Sequence, residues 1–459
     1  MDLGYEFGMS GKTAVVLFTR DLRVTDNPAL WAASRAERTV PLFVLDEKIL
    51  RSRFAAPNRV AYMREALIDL DGRLKAMDGR LFIRRGQVVE EAMKVARECG
   101  AEELHLAADW SSYARGRERR LREACAAAGI DLTAHPGVTI LDPGAVTPTG
   151  GDHFKVFSPY HRAWGTAPWR EVLGAPRKLS VPPNLAAGEL PALDELTDGT
   201  PSPDRRPGGE TEGRKRMQAF LRDRIASYEE GHDDLASKGT SHLSADIRWG
   251  CVSPLELAAR AREARGGGPF VRQLCWRDFH HQVLAAFPSL PRRDYRSRGD
   301  RWSRSEKVFE AWRQGRTGYP LVDAGMRQLA AEGYMHNRAR LTVGSFLTKD
   351  LYVDWRKGAW HFWDLLADGE IANNSGNWQW VAGTGNDTRP QRVLNPVRQA
   401  ERFDPDGIYV RRWVPELAGV RGKAIFRPWL MEGFEDLDYP EPIVDHDDAV
   451  AAFRARRES

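Results

Sequence analysis

FVRQLCWRDFHHQ (270–282) carries four residues whose types and spacing suit a binding wall. On a helix, Gln273, Trp276, Arg277 and His280 recur at i, i+3, i+4 and i+7 and share one stripe, while Leu274 and Phe279 point elsewhere. An amide, an indole, a guanidinium and an imidazole together are wrong for a core. They are right for a pocket that stacks a planar group and holds its polar edges. A second signal is KGTSHLSADIRWGCVSP (238–254). There Thr240, Ser241 and Ser244 offer hydroxyls, with His242 and Leu243 between them, and the turn feeds a helix N-terminus whose N–H groups suit a pyrophosphate. Alone, such a turn is usually a helix cap. In NNSGNWQW (373–380) Asn374 lies four residues before Trp378, so a helix puts both on one face and Trp380 on another.

Cys99, Cys125, Cys251 and Cys275 stand far apart, with no CxxC or Cys/His spacing for zinc, and no nucleophile–base motif is evident. No metal is expected. This cysteine usage fits a reduced, cytoplasmic protein. MDLGYEFGMSGK at the N-terminus has no apolar core, and no apolar run approaches the ~18 residues of a membrane span. A soluble monomer with no membrane partner is expected. Lys and Arg number 68 against 64 Asp and Glu, so any nucleic-acid footprint must be local. Fifteen Trp are many for 459 residues, and each indole needs burial or a stacking partner.

The elements that would position these groups fall into two kinds. Apolar runs at 13–18, 40–45, 81–86, 103–109 and 131–137 alternate with helical periodicity over 59–77, 87–99 and 115–128. That alternation predicts a parallel sheet covered by helices, an α/β domain over 11–137. No GxGxxG follows the first strand, so a dinucleotide in this sheet lacks a phosphate loop. Periodicity fades over a connector at 138–213, whose TDGTPSPDRRPGGETEG (197–213) reads as an exposed linker; FKVFSPYHRAW (154–164) reads as partly ordered. Residues 214–459 read as an all-α domain.

The stretch from Gly315 to Arg392, containing MHNRARL, VDWRK and DGEIANNSGNWQW, resembles the flavin-binding core of the photolyase/cryptochrome family. VLFTRDLRVTDNPAL (16–30) resembles that family's opening strand and loop. The likeness is greatest to the class I microbial enzymes acting on cyclobutane pyrimidine dimers. It implies a Rossmann-like antenna domain, a long linker and a helical domain holding FAD noncovalently. It also implies damaged DNA as partner and light-driven splitting of a flipped-out dimer by electron transfer from reduced flavin. Tyr228 and residues 240–244 match the adenine–phosphate cradle. Gln273, Arg277, Gly369, Glu370 and Asn374 match positions around the flavin, with Asn373 as the alternative to Asn374. An amide at Asn374's position, near flavin N5 in relatives, is the choice of repair enzymes. Arg340 and Asp368 match an ion pair over the isoalloxazine, where a buried anionic ring needs a cation. Trp378, Trp355 and Trp302 match a three-step electron relay, leaving Trp312 and Trp363 to packing. Trp276 and Trp380 resemble the aromatic pair flanking the dimer. Gln273, Arg277, His280, Asn337, Arg338, Leu341 and Arg392 match lesion or phosphate contacts. Arg398, Arg411, Arg412, Arg421 and Lys423 add a local basic field, with solvated surface charge as the default for each.

Departures from the pattern matter. Gln273 replaces the usual Glu, Glu370 the usual Asp, His232 a common Arg and Leu341 a common Met. A branch acting on (6-4) photoproducts needs a His at the position of Asn337; His336 is offset and reads as structural. A cryptochrome-like photoreceptor is the rival from another class; such chains often carry a disordered tail, which is not expected here. In relatives the antenna is a folate or a deazaflavin. Ser111 or Ser112 stands where folate binders use an acid, and a hydroxyl cannot supply that charge-assisted bond. The antenna stays open among deazaflavin, folate, another flavin and none.

Overall fold

The structure, a computed structural model, describes residues 10–458. Residues 1–9, within the N-terminal segment noted above, lie outside the described residues. Five parallel strands, β1 (Ser10–Phe18), β2 (Ala36–Asp46), β3 (Phe82–Gly86), β4 (Glu103–Ala107) and β5 (Asp131–His135), run in the order β3-β2-β1-β4-β5. Alternate residues of β1 enter different cores. Ala14, Val16 and Phe18 join the apolar side of helix α1 (Pro57–Lys75). Val15 and Leu17 pack with residues of helix α2 (Ser112–Ala128) on the other face. A strand covered on both faces must be apolar throughout, which is why TAVVLF shows no polar alternation.

The connector is more ordered than its composition suggests. Helix α3 (Phe157–Thr166) buries Phe157, Tyr160 and Trp164. Further on come the short helix α4 (Ser244–Arg248) and the long helix α5 (Gly268–Ala286). Asp278 of α5 clamps the connector: its Oδ2 accepts the backbone N–H groups of Ile140 and Leu141, each at 3.0 Å, and the Trp164 indole at 3.0 Å.

The expectation of an exposed linker over 197–213 is corrected. Ser202 is buried, donating its backbone N–H to Asn58 Oδ1 at 2.6 Å, and Gly208 donates to Glu65 at 2.8 Å. A Cβ on Gly208 would lie 2.5 Å from the Tyr62 carbonyl oxygen, so only glycine allows the chain this close to α1. Docking here uses backbone donors against α1 side chains, which leaves no periodic trace in the linker. The next helix starts at Glu210, so the composition boundary at 213 falls inside it. Glu210 accepts the Val24 N–H at 2.7 Å and pairs with Arg73 at 2.8 Å, tying the helix to the loop after β1.

Four helices of the C-terminal part build the rest of the site: α6 (Asn337–Ser345), α7 (Trp355–Leu365), α8 (Ile371–Ala382) and the terminal α9 (His446–Glu458). Buried Arg59 of α1 reaches across to them, donating to the carbonyls of Trp363 and Leu366 while its guanidinium lies 4.6 Å from the Trp363 ring. The four cysteines are free. Among the described residues, no helix is long and apolar enough to cross a membrane.

Burial pushes Asp278 up to about 6 from an ordinary 3.8, outweighing Arg277 and the three N–H donors. Its folded pKa therefore exceeds its unfolded one, and the folded chain holds a proton that the unfolded chain has released. The Asp278 contribution to stability is therefore lost as pH rises through about 4 to 6, by about 3 kcal/mol. Asp278→Asn is expected to flatten that slope, read as urea unfolding midpoints on either side of the window.

Candidate functional site

A pocket of about 470 Å³ opens between α4, α5, α6 and α8. It gathers the predicted residues Tyr228, Thr240, Ser241, His242, Leu243, Ser244, Gln273, Trp276, Arg277, His280, Asn337, Arg338, Arg340, Leu341, Asp368, Gly369, Glu370, Asn374, Trp378 and Trp380. Arg392 is exposed and lies outside this lining. Lys349, buried at a π turn, takes the carbonyls of Pro390 and Arg392 as acceptors and anchors that loop through its backbone. Leu274 is a correction. It borders the polar stripe and reaches the pocket, because one residue on from Gln273 it sits beside Arg277 in projection.

The phosphate-type turn is built for an anion. Thr240 Oγ1 and His242 Nδ1 are buried without a partner. His242 adopts φ +55°, and burial, followed by the charges of Arg206 and Arg224, lowers its pKa to about 3. The imidazole is neutral. Arg224 donates to the carbonyls of Lys238 and Thr240, both at 3.1 Å, fixing the loop. Orphaned donors, nearby cations and a helix start fit a pyrophosphate. Sequence reasoning missed both arginines, since only the tertiary fold carries them here. It also missed Tyr334, whose ring centroid lies 4.9 Å from His242.

At the other end, the Arg340 guanidinium meets Asp368 through contacts of 2.8 and 3.3 Å and donates to the Met335 carbonyl at 2.8 Å. Burial works against its charge, yet Asp368 more than restores it, and Arg340 stays above its ordinary value. A fixed, oriented cation therefore faces the cavity. Glu370 and Arg277 line the pocket too, but spend their charges on each other at 2.7 Å. Glu370 also accepts from Arg20 of the sheet domain, and Arg277 donates to the Val138 carbonyl at 2.6 Å. Arg338 pairs with Asp233 and lies 4.2 Å from the Phe403 ring.

The aromatic walls differ in support. Trp276 stacks on Phe157 of α3, with centroids 3.6 Å apart and planes within 5°. Trp380 is half-buried. Trp378 is 4% exposed and meets Phe362 edge-on at 4.9 Å. Asn374 donates to the Ala359 carbonyl at 3.0 Å, anchoring α8 to α7. Trp355 opens α7, fully buried, its indole donating to Asp294 at 2.8 Å. Trp302 is half-buried beside the Ser303–Val353 bridge. Trp302 and Trp355 lie behind the pocket, not in its lining.

Other residues have structural partners. His336 is buried and accepts the Arg338 N–H at 3.2 Å, capping α6. Trp312 is fully buried and donates to the Val343 carbonyl at 3.0 Å. Ser111 Oγ accepts the Ala114 N–H at 3.2 Å as the cap of α2. Arg398, Arg421 and Lys423 are exposed, Arg412 pairs with Glu332 at 3.2 Å, and Arg411 folds back onto the Val420 carbonyl at 2.8 Å.

Two glycines let the helices close. A Cβ on Gly376 would run into the His280 ring, and one on Gly358 into Trp378 and Leu347. Gly376→Ala is expected to push His280 into the pocket, costing about 1–3 kcal/mol of stability. Flavin retention on gel filtration should fall together with the urea midpoint, whereas Gly116→Ala on the open surface of α2 should change neither.

Comparison with known proteins completes the picture. Residues 270–459 match the family described as the FAD binding domain of DNA photolyase, and residues 14–177 that described as DNA photolyase. A deoxyribodipyrimidine photo-lyase of Streptomyces griseus is 54% identical over 97% of this chain and 99% of its own. A bacterial class III photolyase from Agrobacterium tumefaciens superposes with a TM-score of 0.91 at 30% identity, covering 99% of this chain and 100% of the other. A Synechocystis cryptochrome does so at 0.89 and 28% identity, covering 96% and 98%. With sheet domain and helical domain both matched, and the pocket's α5, α6 and α8 walls lying in the matched helical part, the chain belongs to the DNA photolyase family and carries its FAD-binding domain.

Proposed function

We propose that the protein repairs cyclobutane pyrimidine dimers in DNA under light. The observation that carries this reading is one cavity that holds an anion-ready turn, an oriented Arg340–Asp368 pair and two tryptophan walls. FAD, when bound and reduced, supplies one electron on illumination to split the cyclobutane ring and then recovers it.

The chain's own residues bind and steer. Thr240, His242 and the nearby arginines hold the pyrophosphate. Arg340, kept in place by Asp368, offsets negative charge on the ring. Trp276 and Trp380 stack a flipped dimer, and Gln273 hydrogen-bonds the pyrimidine edge. Gln273 has no proton to transfer, so charge that develops on the lesion is met by N–H donation alone. Asn337, exposed at the start of α6, contacts the lesion or its phosphates. Trp378, Trp355 and Trp302 pass an electron inward when the cofactor starts oxidised. The Ser111 oxygen already caps α2 and offers a folate no charge-assisted bond, which leaves the antenna among deazaflavin, folate, another flavin and none. An absorption band beyond those of flavin in the purified protein would identify it.

The cryptochrome-like alternative shares the fold, and one experiment separates the two. The reduced, FAD-loaded protein is mixed with dimer-containing oligonucleotide under blue light. Restored thymines are expected in light and none in darkness. Lesion binding without restoration would leave the photoreceptor reading; restoration only of a (6-4) substrate would move the protein to that branch. Trp276→Ala and Trp380→Ala should each weaken binding to the damaged duplex by about 1–3 kcal/mol in fluorescence anisotropy. Affinity for that duplex should fall as salt rises.

A further inference from the structure

Behind Trp302 the fold assembles a group that the flavin pocket does not use. Tyr352 is 5% exposed, and its ring centroid lies 4.9 Å from that of Trp302. Its hydroxyl donates to Asp300 Oδ1 at 2.8 Å. The terminal helix α9 closes over it. Arg456 sets its guanidinium 4.4 Å from the tyrosine ring, and Arg457 pairs with Asp300 at 2.8 Å. Tyr352 also stands at φ +50°, a backbone conformation that an aromatic residue rarely adopts, so the surroundings over-determine its position.

We propose that Tyr352 is the terminal electron donor of the tryptophan relay, giving its electron to oxidised Trp302 and its phenolic proton to Asp300. The inference rests on the relay reading above and extends it by one step. In that step Trp302, having lost one electron, takes one from Tyr352 and returns to its neutral indole. The tyrosine O–H bond breaks, the proton forms a bond to Asp300 Oδ1, and a neutral phenoxyl radical remains.

Each neighbour has a part in this. Arg456 above the ring penalises any positive charge left there, so electron and proton must leave together. Arg457 keeps Asp300 in position and favours its ionised form, ready to accept. Burial lifts Asp300 above the ordinary carboxylate range, making it a better base, and pushes Tyr352 up to about 12, so the phenol does not ionise unaided. A tyrosine that only packed would need a single acceptor. It would need neither the arginine over its ring nor the strained backbone.

The test uses the full chain loaded with oxidised FAD, flashed with blue light and followed by time-resolved electron paramagnetic resonance. A tyrosyl signal is expected that narrows with ring-deuterated tyrosine and forms more slowly in D2O. Tyr352→Phe should lose it and leave a tryptophanyl signal, and Asp300→Asn should lose the dependence on D2O. Absence of narrowing in the unmutated, labelled protein would overturn the proposal whatever the variants' folding. If Trp302→Phe abolishes the radical while Tyr352→Phe leaves it unchanged, the relay stands and its extension falls. If Trp302→Phe changes nothing, the relay reading itself fails.

Discussion

One buried carboxylate carries much of the architecture. Glu370 is 5% exposed and accepts from Arg20 of the sheet domain and Arg277 of α5, with His281 Nε2 3.1 Å away. Burial, with Arg20 next, lowers Arg277 to about 9. Without the carboxylate, two guanidinium groups would face each other out of water, a cost of several kcal/mol. The same cluster docks the sheet against the helices and fixes the floor of the pocket. Glu370 lies two residues beyond Asp368, so the interface between domains and the anchor of the Arg340 cation at the cavity share one short segment.

Helix α5 divides its labour by face. Gln273, Trp276 and His280 look into the pocket, Arg277 turns to Glu370, and Asp278 holds the connector. Its hydrophobic neighbours sit in a separate cluster with α3. A helix this densely committed has little freedom to shift, and that rigidity is what the proposed stacking between Trp276 and Trp380 requires.

Much of this was legible in the chain itself. The strands were visible because both faces of the sheet are covered, which makes TAVVLF and VPLFVL continuous apolar runs. The α5 stripe was visible because polar groups at helical spacing stand out against an apolar core. What stayed hidden depends on distant partners. Ser202 and Gly208 dock through backbone N–H groups, which leave no mark in side-chain type. Arg206 and Arg224 come to the turn only through folding, and α9 returns from the C-terminus to cover Tyr352. The carbonyl grip of Lys349 on the loop that carries Arg392 is equally silent in side-chain type.

The face-to-face contact of Trp276 with Phe157 ties one wall of the pocket to a region of low sequence pattern. A chimera that transplanted α5 and α8 into another relative would inherit the indole without the ring beneath it. Loss of that support would leave Trp276 free to rotate, and the grafted pocket would lose the shape of that wall although every pocket side chain had been carried across. Designers altering substrate choice in this scaffold must therefore move the 157–166 helix as a unit with the wall it braces.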